Sequence, residues 1–249
     1  MKLKKHFTLD IEQNKVNTFL ASSTSQAFFV KPIDMNKLLI FLLVAAASTT
    51  SRAQNEESNI TKALKSFKVI PDMITSDVPE ALKITFNSGA VVNMGNIIYP
   101  SQAKDQPMVD WNADENAYYL LVCADPDAPY PEDPFLSELN TWMVGNIPGK
   151  NILSGDVLIE YVGSAPPRGA DLNRYVFLLY KQPKRIEFEE KPIDKYTIEG
   201  RSNFSVNAFA SKYDLGEPVG AEFYLSEYDD YVLDLYGQLQ CCFELNKPE

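Results

Sequence analysis

Histidine is all but missing from this chain. One occurs in 249 residues, His6, and none follows it. Residues 7–249 therefore have no histidine nucleophile triad, no imidazole metal ligand and no imidazole acid–base group. Cysteine is nearly as scarce, at Cys123, Cys241 and Cys242. An odd count with an adjacent pair fits neither a disulfide framework nor zinc-ligand spacing. It leaves room for one bridge, or for an intermolecular bridge from the tail. Cys123 lies in an apolar stretch and reads as a small buried side chain. Long hydrophobic runs are absent as well. The ten residues Leu38–Ala47 fall short of the about 20 that a membrane span needs. There is no internal repeat and no low-complexity tract.

Positive charge is in short supply. The chain carries 34 acids against 23 bases, a net charge of −11. Residues 1–53 hold 7 of the bases and 3 of the acids, so the remaining chain has a net charge of −15. Such a body repels phosphate backbones and anionic bilayers at long range, which argues against nucleic acid or a membrane surface as partner. What is plentiful is apolar and aromatic material, 45% and 12% of the residues. That is enough for a sizeable core, and the length allows one large domain or two small ones.

Near the N-terminus, Met35-Asn-Lys precedes the apolar run Leu38–Ala47, and Ser-Thr-Thr-Ser-Arg-Ala follows, ending at Ala53. A charged start, a short apolar region and small residues at Ser51 and Ala53 make a secretory signal peptide over 35–53, cut after Ala53. Residues 1–34 precede it awkwardly; translation from Met35, or a longer form in which the signal is masked, accounts for them. Their polar, aperiodic composition predicts disorder. Residues 54–249 then form the mature domain, secreted, with N-glycosylation patterns at Asn59-Ile-Thr and Asn203-Phe-Ser.

The organising stretch is Asp125–Asn146. It begins Asp-Pro-Asp-Ala-Pro-Tyr-Pro-Glu-Asp-Pro, four prolines in ten residues, which rules out helix and central strand because each proline lacks a donor and fixes φ. Apolar runs enter and leave it, so it reads as strand, rigid loop, strand. Asp125 and Asp127 stand two apart, and in extended chain both carboxylates point the same way. Rigid loops on a β scaffold are where binding sites tend to sit; an acidic turn is the simpler alternative.

Around it the pattern predicts strands at Leu82–Phe86, at Val91–Tyr99 with Gly95 as a bulge, at Met108–Trp111, at Ala117–Ala124 as a central strand, at Trp142–Ile147 and at Arg174–Tyr180. A second rigid loop is Gly163-Ser-Ala-Pro-Pro-Arg-Gly. Residues 54–66 hold a short helix. Ser202 caps a helix running to Tyr213, and Asp229 caps another with Val232, Leu235, Tyr236 and Leu239 as its apolar stripe. The sum is one β-rich domain with terminal helices.

Three blocks carry a resemblance. They are Asp125-Pro-Asp-Ala-Pro with Asp133-Pro; Gly163-Ser-Ala-Pro-Pro-Arg-Gly with Asn173-Arg-Tyr; and Asn203-Phe, Phe209, Lys212-Tyr, Gly216 and Pro218-Val, followed by Asp229-Asp-Tyr-Val. In this order, over roughly residues 67–240, they resemble the phosphatidylethanolamine-binding protein family, and a secreted form is similar to its insect antennal members. The resemblance implies a mainly β single domain, a large antiparallel sheet packed on a smaller one, with C-terminal helices. It also implies a small anion pocket at one end for a phosphate or phospholipid head group. The family's pocket positions fall on Asp125, Asp127, Thr141, Asn173 and Tyr175, with Pro129, Gly163 and Leu136 lining it, Tyr236 near its mouth and a cis bond before Pro129.

This chain departs from the family at both pocket histidines. Leu139-Asn140-Thr141 and Asp171-Leu172-Asn173-Arg174 stand where the family has histidine at the positions of Thr141 and Asn173. Two carboxylates disfavour a bound anion, and neutral donors are about half as strong as charge-assisted ones. The loss weakens phosphate binding by about 1–3 kcal/mol, roughly ten- to a hundredfold, and removes any histidine-driven pH response. Arg174, one residue on from a pocket position, points to the opposite face and is structural.

The expectation is a secreted, monomeric binding protein for a small anionic or lipid-derived polar ligand. It has no cofactor, no metal and no catalytic residue: no serine sits in a nucleophile-elbow pattern and Cys123 has no imidazole partner. The alternative is a protein-interaction module, a protease or signalling inhibitor, with a vestigial pocket.

Overall fold

The computed structural model describes residues 57–239. The segment 1–34, the signal peptide 35–53, Cys241 and Cys242 lie outside the described residues.

The domain opens with helix α1, Asn59–Ser66. Ser58 caps it: its backbone is extended and its Oγ accepts from Thr61 N. Ser58 Oγ also donates to Val78 O at 2.7 Å, and Thr61 Oγ1 both donates to Val78 O and accepts from Val78 N. One hydroxyl pair thus ties the helix start to the lead-in of the sheet. Ser58→Ala is expected to cost about 1 kcal/mol, read as a lowered midpoint in urea with an unchanged slope. A single helical turn, α2, follows at Val69–Asp72.

The strands are β1 Glu80–Ala81, β2 Lys83–Thr85, β3 Met108–Asp110, β4 Tyr118–Asp125, β5 Leu139–Pro148, β6 Asp156–Ile159, β7 Asn173–Gln182 and β8 Gly220–Ser226. Helix α3, Val206–Lys212, precedes β8, and α4, Tyr231–Gln238, follows it. Six strands form one sheet in the order β1-β8-β7-β4-β5-β6; β2 and β3 form a second, antiparallel pair. The large sheet is antiparallel except at its edge, where β1 runs parallel to β8, so it is mixed.

The near-continuous apolar runs of β4 and β7 follow from their central position, with both faces buried. On β7, Val176, Leu178 and Tyr180 face one core with Ile60 and Leu64 of α1 and Val206 and Phe209 of α3. Tyr175, Phe177 and Leu179 face the other, with Ile84 of β2 and Val109 of β3. Side-chain alternation at period two assigns each residue to its layer, giving helices, large sheet and small sheet in succession.

Three sequence expectations change, and one strand goes unpredicted. Val91–Tyr99 is not a strand. Met94 and Gly95 take positive φ, 47° and 93°, which breaks extension. The segment instead hangs from the edge of β8 through Gly95 N to Phe223 O and Ile98 N to Leu225 O, both 2.9 Å. The helix expected from Ser202 begins at Val206, because Ser205 is the cap and its Oγ accepts from Ala208 N. Strand β8 carries no strand expectation at all: Gly220-Ala-Glu-Phe-Tyr-Leu-Ser does not alternate cleanly, since a buried Glu222 interrupts it. That carboxylate accepts from Met94 N at 2.6 Å and Phe223 N at 3.0 Å. Asp230, not Asp229, stands at the N-cap of α4 and makes no side-chain cap bond; Asp229 Oδ1 accepts from Tyr231 N at 3.1 Å just ahead of it.

Candidate functional site

Strand β4 ends at Asp125 and the chain turns at once. Asp127 N donates to Asp125 Oδ1 at 2.8 Å. The Ala128–Pro129 bond is cis, and Leu136 N reaches back to Ala128 O at 3.0 Å to close the corner. Because the backbone turns between them, the two aspartates part company, contrary to the expectation from extended chain. Asp125 stays on the pocket side. Asp127 faces away, held by Arg174 through Nε to Oδ2 at 2.8 Å, Nη2 to Oδ1 at 2.7 Å and the backbone N at 2.8 Å. Adjacent residues of β7 alternate, so Asn173 goes to Asp125 and Arg174 to Asp127.

Asp125 is 1% exposed. Its Oδ2 accepts from Asn173 Nδ2 at 3.0 Å. Burial pushes the carboxyl up to about 7; the neighbouring Asp127 charge adds to this, while bonds from Asn173, Asp127 N and the Tyr175 hydroxyl oppose it. Removing water disfavours the ionised form more than three hydrogen bonds favour it. The site therefore has a group titrating near neutrality without any histidine.

The second corner closes over the first. Gly163 approaches residue 103 so closely that a Cβ there would lie 2.7 Å from Ala103 O. Ala165 N donates to the Tyr175 hydroxyl at 3.0 Å, and the Tyr236 hydroxyl of α4 donates to Ala165 O at 2.8 Å. Tyr175 is thereby a strut behind Asp125, its ring stacked on Tyr224 with centroids 5.2 Å apart. Between the corners lies a partly enclosed pocket of about 60 Å³, room for a few water-sized groups. Asp125, Pro129, Leu136, Thr141, Gly163, Asn173 and Tyr236 line it; Asp127 and Tyr175 do not.

Sequence reasoning missed Asn140, Val162, Ile198, Arg201 and Leu239 on the pocket wall. Arg201 is the least expected, since it sits in a Glu-Gly-Arg-Ser turn yet is 1% exposed. Its Nε and Nη2 donate to the carbonyls of Thr197, Glu160 and Asp194 at 2.7–2.9 Å, and Nη1 lies 3.4 Å from those of Asn140 and Thr141. Burial pulls the guanidinium down to about 10, against the opposing pull of Asp194 and Glu160. It ties the start of β5 to Glu160 and to the turn at 194–201, beside the pocket. No local pattern marks such a residue, because its acceptors are all backbone groups distant in sequence or at a turn.

Gly163→Ala is expected to cost about 1–2 kcal/mol, since the nearest atoms are backbone and a corner must shift. Thermal unfolding would read this, and any ligand held by the pocket would bind more weakly in the same variant.

Residues 83–223 match the family model described as "Phosphatidylethanolamine-binding protein". The Drosophila melanogaster protein named "Putative odorant-binding protein A5" is 33% identical over 200 residues, 80% of this chain and 95% of that one. The solution structure of CG7054 is 39% identical, covers 69% of this chain and 98% of its own, and superposes with a TM-score of 0.58. The crystal structure of carboxypeptidase Y inhibitor complexed with its cognate proteinase is 25% identical over 72% of this chain and 100% of its own, with a TM-score of 0.59.

Proposed function

This chain belongs to the phosphatidylethanolamine-binding protein family, and from that premise we propose that it is a secreted binding protein whose end pocket holds one small polar ligand. The observation that carries this reading is the pocket between the two proline-stiffened corners, about 60 Å³ and lined by Asp125, Pro129, Thr141, Gly163, Asn173 and Tyr236. Its size suits a small head group. The leader over 35–53 supports secretion of a mature domain from residue 54. A relative named for odorant binding supports a small-ligand role. Both glycosylation patterns fall on exposed residues, Asn59 and Asn203, so glycan attachment at these two positions is part of the proposal. Among the described residues no helix is long and apolar enough to cross a membrane.

Binding rather than catalysis is the proposed role. The relatives with functional names are binding or inhibitor proteins, and the neighbouring carboxylate, Asp127, is held by Arg174 and not paired with Asp125 for proton transfer. Phosphate binds weakly on this reading, since Thr141 and Asn173 replace cationic donors with neutral ones. Native mass spectrometry of protein purified without denaturation tests the central claim. A retained mass of small-molecule size, released on unfolding, is expected; bare protein in every preparation, with no response to titrated head-group compounds, overturns it.

The likeness to carboxypeptidase Y inhibitor favours a second reading, an inhibitor of a protease with a vestigial pocket. Inhibition of carboxypeptidase Y by the purified protein, unaffected by Gly163→Ala, would support that reading against the first.

A further inference from the structure

A second concavity lies at the far end of the strands. Strands β1, β4 and β7 of the large sheet, with the segment that follows β3 of the small one, enclose an open groove of about 670 Å³. Tyr119 in the groove and Asp125 in the end pocket lie near opposite ends of β4, about 20 Å apart in extended chain. The floor of the groove is Trp111, Tyr119 and Leu179, all buried members of the core between the sheets, with half-buried Val219 beside them.

That floor holds hydrogen-bond donors which the protein does not use. Trp111 is 5% exposed, and its Nε1 is buried without a partner. An indole N–H can only donate, so no flip of the ring changes what it seeks. The ring meets that of Tyr119 at 65°, with centroids 5.5 Å apart. The Tyr119 hydroxyl accepts from Asp114 N at 2.9 Å, and its own proton has no acceptor among the described residues. A buried donor left without an acceptor is costly, and an incoming acceptor removes that cost. The carboxylates stand at the rim and have partners: Asp114 meets Lys181 Nζ at 3.0 Å, and Glu80 accepts from Asn112 N at 2.9 Å. Two acids against one ammonium leave the rim with negative charge, which disfavours an anion.

We infer that this groove is a second binding site, for a small neutral molecule with an apolar body and one hydrogen-bond acceptor, a carbonyl compound in the simplest case. The body lies on Leu179, Val219 and the two aromatic rings, and the oxygen takes the donors of Trp111 and Tyr119. The volume falls within the about 300–1,000 Å³ of small-molecule sites, which combine an apolar wall with a few placed polar groups. Nε1 is covered, so the oxygen reaches it through a small turn of the indole, while the phenol proton swings about its C–O bond to the same oxygen. A carboxylate meets the charge of the rim, and an ammonium finds donors on the floor where it needs acceptors.

The chain has two tryptophans, Trp111 and Trp142, so a nitrogen–proton NMR spectrum of the full chain carries two indole signals, which Trp111→Phe assigns. Cyclohexanone is the probe. It is expected to shift the Trp111 signal downfield and saturably, leaving Trp142 and the Asn173 side-chain amide in place. Cyclohexane has the same body without the acceptor, and it is expected to bind roughly three- to tenfold more weakly, the worth of one hydrogen bond. Trp111→Phe is expected to weaken cyclohexanone by the same factor, followed through the Tyr119 and Leu179 amides. Cyclohexane binding as tightly as the ketone overturns the role of the donors. Cyclohexanecarboxylate or cyclohexylammonium binding as tightly overturns the neutral class. No saturation by cyclohexanone overturns the site itself, and leaves the end-pocket reading standing. Gly163→Ala, in the end pocket, is expected to leave the titration unchanged; binding lost in that variant would place the ketone there and overturn the inference. Should Trp111→Phe fail to fold, Tyr119→Phe and the wild-type comparison of ketone with hydrocarbon decide.

Discussion

Arg174→Met lowers the unfolding free energy by about 3–5 kcal/mol at neutral pH. The side chains of Arg174 and Asp127 are only 14% and 8% exposed. Two guanidinium nitrogens meet the two carboxylate oxygens at 2.7 and 2.8 Å, a fork geometry that lysine cannot copy. Methionine matches much of the volume, so the cost is electrostatic: Asp127 is left buried with one backbone donor, Arg174 N. The same change removes the bonds of Nη1 to Phe67 O and Asp72, both 2.9 Å, which tie β7 to the end of α1 and to α2. Replacing both members, Asp127→Leu with Arg174→Met, recovers more than half the loss, because no stranded charge remains. Chemical denaturation of the two variants decides it. A single-variant loss under about 1 kcal/mol would mean the pair behaves as a surface ion pair, and the assignment of Asp127 to structure rather than to the pocket would be wrong.

That pair also shows where the sequence could be read and where it could not. The alternation on β7 sends Asn173 and Arg174 to opposite faces, and it was legible because strand periodicity is a local property. The turn after Asp125 was not. The spacing of the two aspartates predicts a shared face only if the chain stays extended, and one hydrogen bond from Asp127 N to Asp125 ends the extension. Strands β4 and β7 announced themselves by burial on both sides. Strand β8 did not, since Glu222 within it is buried with donors from its neighbour Phe223 and from the distant loop at Met94. Arg201 is the same case. Its burial depends on the carbonyls of Asn140, Thr141, Glu160, Asp194 and Thr197, and composition near residue 201 gives no hint of them. Family resemblance located the corners of the pocket; what the resemblance could not supply was the direction of each hydrogen bond. Thr141 and Asn173 read as donors by residue type, yet their N–H and O–H groups turn to Cys123, Asp125 and Pro129.

The stability difference between wild type and Asp125→Asn changes by on the order of 2–4 kcal/mol between pH 4 and pH 8. The folded carboxyl titrates at about 7, well above its ordinary 3.8, because burial penalises its charge. Between these values the folded state holds a proton that the unfolded chain has released. The contribution to stability is therefore full below about 4 and is lost as pH rises through 7. Above 7 the protein carries an ionised, buried carboxylate at its full cost. Asparagine removes the titration and leaves the other raised carboxyls, Glu138 and Glu222, unchanged in both proteins, so they cancel in the difference. Urea titrations at unit pH intervals give the curve directly, and a flat difference would place Asp125 in contact with water or with a permanent cation.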